Sequence, residues 1–179
     1  MKLVNQYDPL LSVKCDRFDF DNPIIKPKEL VDELQKIRKE GRGVGLAAPQ
    51  VGINTQVLVI GIGGMSEEDA GDFNQAFFNP EITEVSDEVS LMIEGCLSYP
   101  GLFIKIKRPQ YIVLTWDNEK GKRCYEKFAG MTSRILQHEI DHLNGITFLK
   151  RADRYHLEQA KKELKKLKRA RKRNETTSN

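Results

Sequence analysis

The sequence predicts an α+β fold, with antiparallel β-sheets arranged around one late helix. Three observations carry this. Short Val/Ile-rich runs crowd the middle of the chain, helical spacing of apolar residues dominates its last third, and strands therefore come first and helices late. At 179 residues the chain is long enough for one ordinary domain, and neither an internal repeat nor a second core is visible. The expected organisation is a domain over residues 1–150 followed by a helical extension over 151–179.

In order, residues 1–26 read as loop, with Pro9 and Pro23 as breakers. Leu30, Leu34 and Ile37 follow helical spacing, which predicts a helix over Pro27–Lys39 that Gly41, Gly43 and Gly45 end. Val44–Val51 is apolar but contains Pro49, which suits a loop or an edge of backbone. Gln56–Ile62 reads as a strand and acidic Glu67–Asp72 as an exposed loop. Further strands are expected at Glu81–Val85, around Cys96, at Ile104–Lys107, at Tyr111–Asp117 and at Arg123–Ala129, with Asn118–Gly121 as a hairpin turn between the last two. A second helix is expected over Thr132–Leu143 with Gly145 at its C-terminal cap, and a third over Ala152–Arg171.

Charge is distributed unevenly. Residues 1–149 carry a net charge of −5 and residues 150–173 one of +9, although the whole chain is only +3. The three cysteines, Cys15, Cys96 and Cys124, form no disulfide framework. The first residues lack the apolar core of a signal peptide, and no apolar run approaches the roughly 20 residues that span a bilayer. The expected compartment is a reducing cytoplasm, where a cysteine stays available as a metal ligand.

His138-Glu139-Ile140-Asp141-His142 carries the chemistry. Positions four apart share a helix face, so both histidines can address one cation while Glu139 stands beside them as a proton acceptor. The pattern occurs in several protease classes, and the third ligand separates them. Phe148 stands where one class places a third histidine, and it cannot ligate. A zinc endopeptidase using Glu163 is the alternative enzyme, though Glu163 lies in a charge-rich helical run. An RNA-binding protein with a degenerate metal site is the non-enzymatic one. Cys96, in Glu94-Gly95-Cys96-Leu97-Ser98, completes a Cys/His/His set with one open position, the arrangement of a catalytic site.

Gly43-Val44-Gly45-Leu46-Ala47-Ala48-Pro49-Gln50, Glu94-Gly95-Cys96-Leu97-Ser98 and Gln137-His138-Glu139-Ile140-Asp141-His142-Leu143 resemble, in order, the three motifs of peptide deformylases. The resemblance spans about residues 27–150 and is closest to the type 1 branch. It implies hydrolysis of the N-formyl group from the initiator methionine of nascent polypeptides, with release of formate. It implies that Cys96, together with His138 and His142 of the central helix, holds a metal, with ferrous iron in the cell and zinc or nickel in purified material. Glu139 would take a proton from the attacking water and pass it to the leaving amine. Gln50 and the Leu97 backbone N–H would stabilise the developing oxyanion. The peptide would lie as an added strand beside Gly45, with the methionine side chain among Val44, Met92, Glu94, Met131, Arg134 and Ile135. Relatives carry an arginine and a small residue where this chain has Phe103-Ile104.

In the third helix Leu157, Ala160, Leu164 and Leu167 form one apolar stripe amid lysines and arginines. A basic arm over residues 152–173 suits phosphate, and in related bacterial enzymes a C-terminal helix docks on the ribosome. A ribosome contact by a monomeric enzyme is the expectation for this segment.

Overall fold

The computed structural model describes residues 1–62 and 73–177. The expected acidic loop Glu67–Asp72 lies outside the described residues. Helix α1 (Pro27–Glu40) begins at a proline, whose fixed φ suits a first helical position, and buries Leu30, Leu34 and Ile37. Next come strands β1 (Gly45–Ala47), β2 (Val57–Ile62), β3 (Phe73–Val85), β4 (Val89–Gly95), β5 (Phe103–Pro109), β6 (Tyr111–Asp117) and β7 (Arg123–Ala129). Helix α2 (Gly130–Leu143), a single turn α3 (Phe148–Arg151) and helix α4 (Arg154–Thr177) complete the order.

Five strands form an antiparallel sheet in the order β1-β2-β3-β6-β7, and β4 and β5 form a separate hairpin. Residues of β2 alternate between two cores. Leu58 and Ile60 face α2 with Phe77, Leu114, Ile135 and Leu136, whereas Val57 and Val59 face α1 with Leu34, Leu46 and Phe78. Both faces of β2 are thus covered, which is why Val57–Ile60 is an unbroken apolar run. The expected α+β architecture is present, with α2 buried on nearly every side from Ser133 to Leu143.

Four boundaries differ from the sequence reading. The apolar Val44–Val51 segment holds a short edge strand, β1, followed by a 3-10 turn that takes Pro49. Strand β3 starts at Phe73 rather than Glu81, because Asn79-Pro80 is absorbed by a bulge instead of ending the strand. Asn79 adopts φ 48° there, and its amide bonds the backbone of Phe18 at 2.7 and 3.1 Å. Cys96 lies just beyond β4, in a turn closed by Tyr99 N–H donating to Cys96 O at 2.9 Å. The third helix runs over Arg154–Thr177 rather than Ala152–Arg171, with the unexpected turn α3 before it, and Asp153 Oδ1 accepts from His156 N–H at 2.8 Å to start α4. Gly145, φ 67°, follows the α2 cap residue Asn144 as the left-handed terminator.

Only part of the apolar stripe of α4 docks. Leu157, Ala160 and Leu164 pack with Phe148 against Ile104 and Ile106 of β5, while Leu167 is 58% exposed. From Lys165 to Ala170 every residue of the helix is exposed, Lys165, Lys166, Lys168 and Arg169 among them. No helix among the described residues is long and apolar enough to cross a membrane.

Cys15 is buried in the α2 core, and burial together with the neighbouring Asp16 carboxylate pushes its thiol up to about 11. It is therefore expected to stay a protonated, unreactive thiol at pH 8. Iodoacetamide labelling followed by peptide mapping should leave Cys15 unmodified in native protein and modify it in denaturant. Rapid native labelling would show that this edge of the core opens.

Candidate metal centre

The centre is assembled where α2 crosses the end of β4. One helical turn separates His138 from His142, so both rings leave the same face of α2, with centroids 5.1 Å apart. The turn after β4 brings Cys96 to that face, its Sγ 3.2 Å from His142 Nε2. One ligand atom from each of Cys96, His138 and His142 lies within 4.8 Å of the others, and these three form the one such cluster among the described residues. Glu163, the third ligand of the endopeptidase alternative, sits on α4 and pairs with Lys166 at 2.7 Å. Phe148 packs against the His138 ring, centroids 5.7 Å apart.

The electrostatics fit a cation. His142 is fully buried, and burial, with His138 and Arg108 nearby, holds it well below the usual imidazole range, so it is the neutral ring a metal requires. Burial works against a charge on His138, yet its bonds to Cys96 and Glu94 and the adjacent Glu139 lift it to about 10. The surroundings thus favour positive charge at this point. Thiolate, imidazole and imidazole with an open side suit a catalytic divalent ion.

Glu94 orients the site. Its Oε2 meets His138 Nδ1 at 2.9 Å, which commits that nitrogen and turns the other toward Cys96. The same carboxylate accepts two bonds from Arg108, at 2.7 and 3.0 Å, and one from Arg134 at 2.9 Å. Arg108 also donates to Asp141 at 2.7 Å, and Arg151 of α3 clasps Asp141 from the surface at 2.6 Å. Burial would raise the Glu94 pKa, but His138 and Arg108 more than offset it and bring it to about 2.

Glu139 faces the same space. Its Oε2 is buried without a hydrogen-bond partner among the described residues, and burial, aided by Glu94 and Asp141, pushes its carboxyl up to about 7. Gly45 makes room for it, since a Cβ there would stand 2.8 Å from Glu139 Cγ and Cδ. Gln50, 1% exposed, is fixed at both ends of its amide. Its Oε1 accepts from Ala47 N–H at 2.9 Å, and its Nε2 donates to Ser98 Oγ at 3.1 Å and to Cys96 Sγ at 3.5 Å. Leu97 follows Cys96 in the turn, with its side chain laid across Gly41 and Gly43. A cleft of about 430 Å³ leads to Cys96 between Gly43–Gly45 and Gly95–Phe103.

The family model described as polypeptide deformylase matches residues 1–158. The chain belongs to this family. It is 36% identical over 159 residues to peptide deformylase 1 of Bacillus anthracis, covering 88% of this chain and 96% of that one. It is 41% identical over 127 residues to the peptide deformylase of Synechocystis, covering 70% of this chain and 66% of that one. The crystal structure of the plant peptide deformylase PDF1B superposes with a TM-score of 0.83 at 33% identity, covering 97% of this chain and 92% of that one. A peptide deformylase from Synechococcus elongatus in complex with actinonin gives 0.80 at 30%, covering 91% and 86%. Members of the deformylase family are metal-dependent hydrolases that remove the N-formyl group from nascent polypeptides, and the endopeptidase alternative has no support.

Of the residues expected around the methionine side chain, Val44 and Met131 are 46% and 48% exposed, Met92 is half-buried, and Ile135 sits in the α2 core at 4%. The polar groups of Glu94 and Arg134 turn inward instead, Arg134 also bonding Ile106 O and Ser90 O at 3.0 and 2.8 Å. Arg108, Asp141 and Ser98 were not singled out from sequence. Arg108 was legible, because period-two alternation puts it on the inward face with Ile104 and Ile106. Asp141 and Ser98 carried no comparable signal.

Glu94 titrates near 2 when folded and near 4.5 when unfolded, so its contribution to stability is complete above about pH 4.5 and is lost as pH falls toward 2. Glu94→Gln strands buried cations and should cost about 3–5 kcal/mol near neutral pH. Urea unfolding of metal-free protein across pH should show the gap between variant and parent narrowing below pH 4.5. A gap that stays constant down to pH 2 would contradict this role for Glu94.

Proposed function

We propose that this chain hydrolyses the N-formyl group of formyl-methionyl nascent polypeptides, with residues 1–150 as the catalytic unit and 151–179 as a helical extension. The observation that carries the reading is the meeting of three motifs at one point: Cys96, at the end of the cleft, lies against His142 and Gln50 and clusters with His138 and His142, and Glu139 packs on Gly45.

Cys96, His138 and His142 would hold the metal, which would supply Lewis acidity toward water and a carbonyl oxygen. Ferrous iron suits this set in the cell, and zinc or nickel fits the same ligands. Glu139, with a carboxyl near neutrality, takes the proton of the attacking water on its unpartnered Oε2 and returns it to the departing amine. Gln50 Nε2, exchanging its long contact with Cys96 Sγ, and the Leu97 N–H donate to the oxygen as negative charge develops, while the bond from Ala47 N–H to Gln50 Oε1 holds the amide in place. The peptide adds to the free edge of β1 at Gly45, and its methionine side chain lies among Val44, Met92, Met131 and Ile135.

Glu139→Ala should keep its metal and lose nearly all formate release from a formyl-Met peptide. Cys96→Ser should lose the metal, since a hydroxyl is a far poorer anionic ligand, and Glu163→Ala should not. Metal analysis and turnover on the same preparations check all three. Retained turnover in Glu139→Ala would remove it from the mechanism.

The distal half of α4 supports delivery to RNA, because Lys165, Lys166, Lys168 and Arg169 are exposed while Leu157 and Leu164 anchor the helix. Replacing those four cations by glutamine should leave peptide turnover and melting temperature nearly unchanged and sharply weaken co-sedimentation with ribosomes. Unchanged ribosome binding over a salt series would leave α4 as packing alone.

A further inference from the structure

We infer that Arg42 reads negative charge on the residues following the formylated methionine, so that the enzyme favours substrates with an acidic side chain there. The inference rests on the deformylase reading of the cleft and deepens it by naming a class of substrate.

Arg42 occupies the turn between α1 and β1 with φ 55°. The left-handed region suits glycine, asparagine or aspartate, and an arginine there runs against the preference of the backbone. The turn is held in this form from several sides. Arg42 N–H donates to Lys39 O at 3.0 Å and Gly43 N–H to Arg38 O at 2.8 Å, and the buried Arg38 guanidinium returns a bond of 2.8 Å to Gly43 O. A residue kept against its backbone preference in a fixed turn points to a use for its side chain.

The surroundings say what use. Arg42 lies on the rim of the cleft that ends at Cys96, and it is exposed. The other side chains lining that cleft are apolar or the thiol itself: Val44, Leu97, Pro100 and Phe103 make the walls, with Phe103 62% exposed over Gly95. Among the described residues Arg42 is the one charged residue of the lining, and no carboxylate shares it. Among the described residues Arg42 makes no ion pair. The nearest charged neighbours in sequence, Lys39 and Glu40, offset each other, and exposed Lys105 and Lys107 flank the Phe103 side with the same sign as Arg42. An extended peptide leaving the centre along β1 therefore passes one cation, without an ion pair among the described residues, set in an apolar cleft.

The test uses metal-loaded full-length enzyme and two series of C-terminally amidated peptides, formyl-Met-Xaa-Ala and formyl-Met-Ala-Xaa, with Xaa as Asp, Ser or Lys. The parent should favour Asp over Lys about two- to five-fold in kcat/KM in one series, the range of a solvent-exposed charge pair. The difference should reside in KM and shrink at high salt. Arg42→Glu should invert the Asp/Lys ratio, with the Ser peptide as each enzyme's internal reference. An unchanged ratio in Arg42→Glu would overturn the inference. So would a preference that appears only for free C-terminal carboxylates over amides and ignores the side chain. Failure of the parent on every formyl peptide would remove the deformylase reading and this inference with it.

Discussion

Everything at the centre depends on one buried carboxylate. Glu94 shares its two oxygens among Arg108, Arg134 and His138, which joins β4, β5 and α2 at a single point. Four charged or chargeable groups buried this deeply are tolerable only because each is paired, and removing any one leaves another uncompensated. The arrangement fixes which His138 nitrogen remains for a metal, a constraint that three ligand residues alone do not supply. The chain of alternating charge continues through Arg108 and Asp141 to Arg151, so the turn α3 is tied electrostatically to a metal ligand.

The three motifs are distant in sequence and interlock by contact. Gln50 of the first bonds Ser98 and reaches Cys96 of the second. Gly45 of the first leaves the volume that Glu139 of the third occupies, and Gly43 leaves room for Leu97 of the second, whose Cδ1 would stand 2.7 Å from an added Cβ. Gly43 and Gly45, before and at the start of β1, are thus required by side chains from elsewhere in the chain. This explains why an edge strand of three residues packs so closely on the central helix.

Much of this was legible in the sequence, and the reasons are specific. His138, Glu139 and His142 declared themselves through helical spacing, and Cys96 through the family resemblance of its surroundings. The strands β2, β6 and β7 followed from Val/Ile content and a hairpin turn. The expected strand began only at Glu81, whereas β3 runs through Asn79-Pro80, because bulges accept residues that regular ladders reject and a bulge depends on the partner strand. Glu94 is the instructive residue. It was expected on the wall of a pocket and its polar group instead faces inward, because the arginines that claim it lie 14 and 40 residues away. Pairings of that kind are set by tertiary structure, and local patterns do not contain them.

The most direct test of this account is the tautomer of His138 in protein loaded with zinc, read by long-range 15N–1H correlation of the imidazole nitrogens. The account predicts a protonated Nδ1 donating to Glu94, with Nε2 carrying the shift of a metal-bound nitrogen. A metal-bound Nδ1, or a His138 ring whose nitrogens do not respond to zinc, would contradict it.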